Sequence, residues 1–157
     1  RIQARPGVVR LLGELTGAGT RLAVATTGSR GWVEQVLATA LGDFAFEVVV
    51  TGEEVTARKP DPEAFAVALD RLGLPADAAL GVEDSAEGLE SAKGAGLACV
   101  VVANGYTVDH DLAAADLVLD GFGDPSQLAT VIADRANSGC TGILDAATLT
   151  SVWGHAR

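Results

Sequence analysis

Short apolar stretches alternate with amphipathic ones along most of this chain. In the amphipathic stretches hydrophobic residues recur at helical spacing, as Val8, Leu11, Leu12 and Leu15 do near the start. The apolar stretches predict strands that are buried on both faces, at 21–25, 46–51, 78–82, 97–103 and 116–119. Strands that alternate with helices indicate an α/β fold. We therefore expect a three-layer, Rossmann-like core with a mostly parallel sheet between two layers of helices.

Two adjacent carboxylates follow the predicted strand at 78–82. Glu83 and Asp84 stand where this strand ends, and Ser85 can cap the helix that comes next. Ligands of parallel α/β sheets bind beyond the carboxyl ends of the strands, and carboxylate oxygens are ligands that Mg²⁺ prefers. The pair therefore predicts either a magnesium site or an acidic turn that favours the helix N-terminus through its dipole.

Small hydroxyl residues end the predicted strand at 21–25. Thr26, Thr27 and Ser29, with Gly28 among them, come just before a stretch of helical spacing. Hydroxyls, backbone N–H groups and the positive end of a helix together form a natural phosphate-binding loop. The same residue types are common in turns and helix caps, so an ordinary turn is the alternative interpretation.

A lysine precedes a proline-rich helix start. Lys59 is followed by Pro60, and Asp61 and Pro62 can begin the next helix. Because prolines restrict the backbone around them, the Lys59 ammonium can be directed at one place. A solvated surface lysine is the alternative.

These three polar stretches are expected at one edge of the sheet. Each follows a strand that runs in the same direction, so the fold brings hydroxyl, ammonium and carboxylate groups together. Such a set suits phosphoryl chemistry, in which Thr and Lys hold phosphate oxygens while Mg²⁺ on the carboxylates bridges phosphate and nucleophile.

Composition narrows the class of protein. A formal net charge of −10 and a pI near 4.4 argue against nucleic-acid or anionic-membrane binding, because both need a basic face. No window of about 18 unbroken apolar residues occurs, and no secretory signal is visible. Cys99 and Cys140 are too few for a disulfide framework and lack metal-ligand spacing. We expect a cytoplasmic protein with a free thiol at Cys99.

The three stretches resemble motifs of the haloacid dehalogenase superfamily. Its hydrolases use an Asp nucleophile, a strand-end Thr or Ser, a Lys and a strand-end acidic pair. The second, third and fourth motifs match, in the family's order, Val24-Ala25-Thr26-Thr27, Lys59-Pro60-Asp61-Pro62 and Gly81-Val82-Glu83-Asp84-Ser85. With Asn104-Gly105-Tyr106-Thr107, they look most like the CbbY and β-phosphoglucomutase-like branch. The likeness covers about residues 5 to 130.

The resemblance implies roles in phosphate binding. Thr26 binds the transferring phosphate through its hydroxyl, and the backbone N–H of Thr27 assists. Lys59 pairs with phosphate and nucleophile. Ser29 and Arg30 match positions near the distal phosphate of the substrate in this branch.

It also implies a cofactor and a reaction. Asp84 binds Mg²⁺ directly, and Glu83 contributes directly or through water. The implied function is Mg²⁺-dependent hydrolysis of a small sugar phosphate or bisphosphate, as CbbY proteins dephosphorylate a xylulose bisphosphate. A β-phosphoglucomutase-like isomerase is one alternative, and a non-catalytic module that binds phosphate or a partner is another.

The family's first motif does not match anywhere in the chain. No Asp-x-Asp-Gly-Thr/Ser stretch occurs, although the family takes its nucleophile and its acid/base Asp from it. The insertion that carries the helical cap is also missing. We therefore expect residues 1–133 to be a partial core domain without first strand and cap, and residues 134–157 to be a C-terminal extension.

The missing N-terminal segment has a structural consequence. In the family the nucleophile strand lies between the strand ending at Thr26 and the strand ending at Asp84. Without it both strands are expected to have unpaired edges, and the chain alone is expected to be inactive.

Overall fold

The computed structural model describes residues 2–157 as an α/β fold, in which five α-helices surround two small sheets. The strands are β1 (Ala23–Ala25), β2 (Val48–Val50), β3 (Leu80–Glu83), β4 (Ala98–Val102), β5 (Leu117–Leu119) and β6 (Val131–Asp134). The helices are α1 (Val8–Gly17), α2 (Arg30–Ala40), α3 (Glu63–Leu72), α4 (Ala86–Gly94) and α5 (Ala146–Ala156). The predicted fold class, with strands that alternate with helices, is confirmed.

The larger sheet has the order β3-β4-β5-β6 and is parallel except for β6. Its central strand β4 is buried along its whole length. Because side chains alternate along a strand, Val100 and Val102 face a cluster with α1 and α5, while Cys99 and Val101 face a cluster with α4. This burial on both faces is what the unbroken apolar run at 97–103 predicts.

The smaller sheet consists of β1 and β2, which pair in parallel with Ala23 opposite Val48. Val48 and Val50 pack against Ala64 and Ala68 of α3. Helix α3 ends at Gly73, whose φ of 67° is left-handed and favours glycine. The smaller sheet thus has its own apolar cluster under one helix.

The C-terminal residues pack on the larger sheet. Leu144 and Val152 are fully buried in the same cluster as Leu11 of α1. Arg10 donates to the Leu144 carbonyl at 2.9 Å, and the indole N–H of Trp153 donates to the Asp77 carbonyl at 2.7 Å. Residues 135–157, which follow β6, therefore cover one face of the larger sheet.

An open gap separates the two sheets. Within residues 2–157, β1 pairs only with β2, and β3 pairs only with β4. Between them lies a largely apolar cavity of about 800 Å³, lined by β1, β3 and side chains from α1, α3 and α5. The expectation of unpaired edges on these two strands is confirmed.

Two further findings concern the chain as a whole. Both cysteines are free, and Cys99 is buried, as expected. Burial raises the pKa of the Cys99 thiol to about 12.

Among residues 2–157 we find no helix with the length and apolarity needed to reach across a lipid bilayer.

Candidate active site

The loop after β1 is fixed by its neighbour after β2. The Thr26 backbone N–H donates to the Val50 carbonyl at 3.0 Å, which extends the pairing of the two strands. The Thr26 hydroxyl accepts from the Gly28 N–H at 3.1 Å. Gly52 N–H donates to the Gly28 carbonyl at 2.9 Å, and a side chain at 52 would overlap the backbone of Thr27. The Thr26 hydroxyl proton therefore stays available to a ligand.

Lys59 reaches across the gap between the sheets. Its ammonium donates to the Ala25 carbonyl at the end of β1, at 3.0 Å, and forms an ion pair with Glu83 at the end of β3. It also lies 4.7 Å from the centre of the Phe65 ring. Only 15% of its side chain is exposed. Lys59 is thus directed into the site, as the prolines after it predict.

The helix after Lys59 is capped by local hydrogen bonds. The Asp61 carboxylate accepts from the Glu63 N–H at 2.9 Å, and the Glu63 carboxylate accepts from the N–H groups of Thr56 and Ala57. These backbone hydrogen bonds, first that of Thr56, lower the pKa of Glu63. Both ends of the lysine loop are therefore tied to the start of α3.

The acidic pair lies where the sequence predicts it. Glu83 is the last residue of β3, and Ser85 caps α4 by accepting from the Gly88 N–H at 3.1 Å. The Asp84 carboxylate is exposed, and the Asn104 amide approaches it at 3.5 Å. Glu83 is turned towards Lys59, whereas Asp84 is open to a ligand.

A cavity of about 420 Å³ brings four of the predicted residues together at the carboxyl ends of β1 and β3. Its walls are formed by Arg5, Val8, Ala25, Thr26, Lys59, Val82, Glu83, Asp84, Val102 and Phe122. The three stretches that carry these residues lie 24 to 58 positions apart in sequence, and their side chains thus share one small space.

Three predicted residues do not line this cavity. Thr27 and Ser29 lie in the adjacent loop, and the Ser29 hydroxyl makes no capping hydrogen bond to α2. The Arg30 guanidinium forms ion pairs with Glu54 and Glu34 instead. Within residues 2–157, Thr27, Ser29 and Arg30 therefore lie outside the cavity that Lys59 lines.

Arg5 is a site residue that sequence reasoning missed. Its guanidinium donates to the carbonyls of Val102 at 2.9 Å, Ala103 at 2.7 Å and Asp120 at 3.1 Å, and lies 5.5 Å from the Phe122 ring centre. These contacts are about 100 positions away in sequence, so no local pattern distinguishes Arg5 from an exposed arginine before a helix. It holds the N-terminal segment over the ends of β4 and β5.

The donor set of the cavity fits one Mg²⁺ ion with few protein ligands. The part of the chain that the structure describes has no cluster of three or more His, Cys, Asp or Glu able to hold a metal. Mg²⁺ keeps several waters and is commonly held by one or two carboxylates together with substrate phosphate. The exposed Asp84 carboxylate can serve as one ligand, and Glu83 as a second through water.

Comparisons with known proteins show the family of this chain. The sequence model of the family described as haloacid dehalogenase-like hydrolase matches residues 1–102. Protein CbbY of Cereibacter sphaeroides is 42% identical over 131 residues, which are 82% of this chain and 57% of that protein.

Two solved structures resemble the fold. One is a mutant CbbY from Rhodobacter sphaeroides in complex with xylulose-(1,5)bisphosphate. Its TM-score is 0.72 at 41% sequence identity, and the match covers 78% of this chain and 57% of the CbbY chain. A putative β-phosphoglucomutase from Thermotoga maritima has a TM-score of 0.61 and 29% identity, covering 69% and 50%. The chain thus spans about half the length of the proteins that it matches. Since the family match covers well over half of its residues, the chain belongs to the haloacid dehalogenase-like hydrolase family.

Proposed function

We propose that this chain forms part of the core of a Mg²⁺-dependent phosphatase that hydrolyses a small sugar phosphate or bisphosphate. The observation that carries the proposal is the convergence of Thr26, Lys59, Glu83 and Asp84 on one cavity beside the gap between the sheets. The free cysteines support a reducing, cytoplasmic setting.

Thr26 and Lys59 hold the phosphoryl group in this proposal. The Thr26 hydroxyl already accepts from Gly28, so its proton is directed to a phosphate oxygen. Lys59 has one N–H bond beyond the two that it donates to Ala25 and Glu83. Since both groups are fixed before the substrate arrives, they stabilise developing charge without reorganisation.

Asp84, with Glu83 behind it, holds Mg²⁺. The bound ion supplies Lewis-acid stabilisation of negative charge on the phosphoryl oxygens. Glu83 also keeps the Lys59 ammonium at the edge of β3, where it meets both the phosphate and the attacking carboxylate.

The nucleophilic carboxylate comes from a strand outside these 157 residues. The gap supports this step because it offers two unpaired edges of parallel strands and an apolar lining, which suit a strand buried on both faces. The end of such a strand comes out beside Lys59. Its carboxylate attacks phosphorus and forms an acyl phosphate as the bond from phosphorus to the sugar oxygen breaks, and that oxygen takes a proton from the acid/base Asp of the same motif. Water then hydrolyses the acyl phosphate, which releases inorganic phosphate and restores the carboxylate.

The test uses the coding sequence upstream of residue 1, expressed together with this chain. We expect Mg²⁺-dependent phosphate release from a panel of sugar phosphates that includes a xylulose bisphosphate. Asp84→Ala should lower kcat/KM by about a hundredfold or more. Glu87→Ala is the matched control, because Glu87 is an exposed acid in the first turn of α4 and lies outside the cavity.

Three outcomes would contradict the proposal. They are an upstream sequence without a carboxylate after an apolar strand, equal losses in the two variants, and phosphate release by the 157-residue chain alone that Asp84→Ala abolishes. Conversion of one sugar phosphate into an isomer, without phosphate release, would instead support a mutase, the alternative that the β-phosphoglucomutase likeness favours.

A further inference from the structure

One face of helix α4 contacts Glu83 of the ion pair at the site, and it contacts Asp61 and Pro62 in the loop that carries Lys59. The contacts come from residues at helical spacing, Gly88, Ser91 and Gly94. A side-chain carbon at 88 would overlap the Glu83 carboxylate, and one at 94 would come within 3.2 Å of the Pro62 ring. The absence of side chains at 88 and 94 therefore lets Glu83 and the lysine loop approach the helix closely.

The side chain of Ser91 forms a hydrogen bond on this face. It is fully buried, and its hydroxyl donates to the Asp61 carbonyl at 2.7 Å. Asp61 lies two residues after Lys59, in the segment that the prolines restrict. A buried hydroxyl that loses its partner is costly, so this bond holds the loop at one distance from α4.

We propose that Ser91 is a positioning residue, whose hydrogen bond to the Asp61 carbonyl determines where the Lys59 ammonium stands between Ala25 and Glu83. Gly88 provides the space that keeps Glu83 in reach of that ammonium. The effect of Ser91 on the position of Lys59 is argued from the contacts alone. The effect of that position on phosphoryl transfer rests on the proposed function.

Amine labelling in the 157-residue chain tests the placement without any activity. Lys59 and Lys93 are the two lysines of the chain. Lys93 lies on α4 as well, but pairs with Asp116 away from the loop, so it is an internal standard. Labelling with acetic anhydride, followed by peptide mass spectrometry, gives the ratio of the two rates. We expect Ser91→Ala to raise the Lys59/Lys93 ratio by several fold.

Two further variants separate positioning from general loss of stability. Asp145→Ala removes the cap of α5, which accepts from Thr148 N–H at 2.8 Å, and should leave the ratio unchanged. Ser91→Cys keeps the volume but offers a weaker donor, so its ratio should lie between that of wild type and that of Ser91→Ala. It also gives a readable result if Ser91→Ala does not fold.

The outcomes decide between the two proposals. An unchanged ratio in a folded Ser91→Ala chain, or a Ser91→Cys chain that labels as slowly as wild type, overturns the positioning role. In the active, longer enzyme, Ser91→Ala should lower kcat about tenfold with little change in KM, and Ser91→Cys should recover part of it. A raised labelling ratio together with an enzyme that releases no phosphate refutes the proposed function and leaves the positioning role standing.

Discussion

At the scale of single residues, Lys59 differs from an ordinary surface lysine in every contact that it makes. It bridges a carbonyl at the end of β1 and a carboxylate at the end of β3, and it lies over an aromatic ring. Arg58, its neighbour, is exposed and has no ion pair within the described residues. Two adjacent cations thus have very different surroundings.

We therefore expect Lys59→Ala to lower kcat/KM of the complete enzyme by about a hundredfold or more, because a fixed cation beside a phosphoryl group contributes several kcal/mol in a dry site. Arg58→Ala should change it little, since a solvent-screened charge contributes little. Steady-state kinetics of both variants on one sugar phosphate measure the difference. A larger loss for Arg58→Ala would show that the wrong cation has been assigned.

Individual residues also show what a sequence can predict about this site. Ser85 was predictable as a helix cap because its partner, Gly88, lies three positions away. For Lys59 the adjacent Pro60 left two interpretations open, a directed ammonium and a solvated surface lysine, and only its contacts with Ala25 and Glu83 decide between them. Arg5 was not predictable, since its three acceptors lie about 100 positions away, in the strand end of β4 and the loop after β5. Nor does any local pattern show that Arg30 turns to Glu54.

At the scale of secondary-structure elements, the loop after β2 ties two helices together through one carboxylate. Glu54 accepts from Arg30 of α2, from Arg71 of α3, and from the N–H and hydroxyl of Thr51. The hydrogen bond from Arg71, followed by that from the Thr51 backbone, lowers the pKa of Glu54 from 4.5 to about 2. This loop also supports the Thr26 loop, through Gly52.

The lowered pKa predicts an acid-sensitive contribution to stability. The folded state favours the charged carboxylate, so Glu54 stabilises the fold above a pH of about 4.5, and the contribution is lost as the pH falls towards about 2. Glu54→Gln should therefore lower the urea midpoint at pH 7, and the difference from wild type should shrink in acid. Glu90→Gln, at an exposed position of α4, is the control. A difference in urea midpoint between wild type and Glu54→Gln that is as large in acid as at pH 7 would contradict this assignment.

The order of elements was easier to predict than their bounds. All five predicted strands form, but β1 and β2 keep only three residues each. Strand β6 was missed, because Val131–Asp134 has one exposed apolar residue, Ile132, and pairs antiparallel at the sheet edge. An edge strand needs no buried run on both faces, so the pattern that predicts the others does not detect it.

At the scale of the whole molecule, residues 134–157 belong to the packing of the larger sheet. Leu144 and Val152 are fully buried against Leu11 and the strands. Burial of one such side chain contributes about 1.5–3 kcal/mol, while a whole domain is stable by only about 5–15 kcal/mol. The extension thus contributes a large share of the free energy of unfolding.

Removal of residues 137–157 should therefore unfold the chain. Near-ultraviolet circular dichroism and urea titration of residues 1–136 measure this, with removal of only Ala156 and Arg157, which are exposed, as the control. A cooperative, native-like fold of residues 1–136 would show that residues 137–157 are a separable unit.

The gap between the sheets also affects how the molecule melts. In the part of the chain that the structure describes, no strand pairing joins β1 and β2 to the larger sheet, and α3 links them to it through its contacts with β1, β2 and α4. The free energy needed to unfold β1, β2 and α3 locally is lower than it would be in a continuous sheet. Unfolding should therefore occur in two steps. The two tryptophans report on one part each, Trp32 beside the β1 loop and Trp153 on α5. The Trp153→Phe chain keeps Trp32, and its fluorescence should change at a lower urea concentration than that of the Trp32→Phe chain, which keeps Trp153. A strand bound in the gap should merge the two transitions.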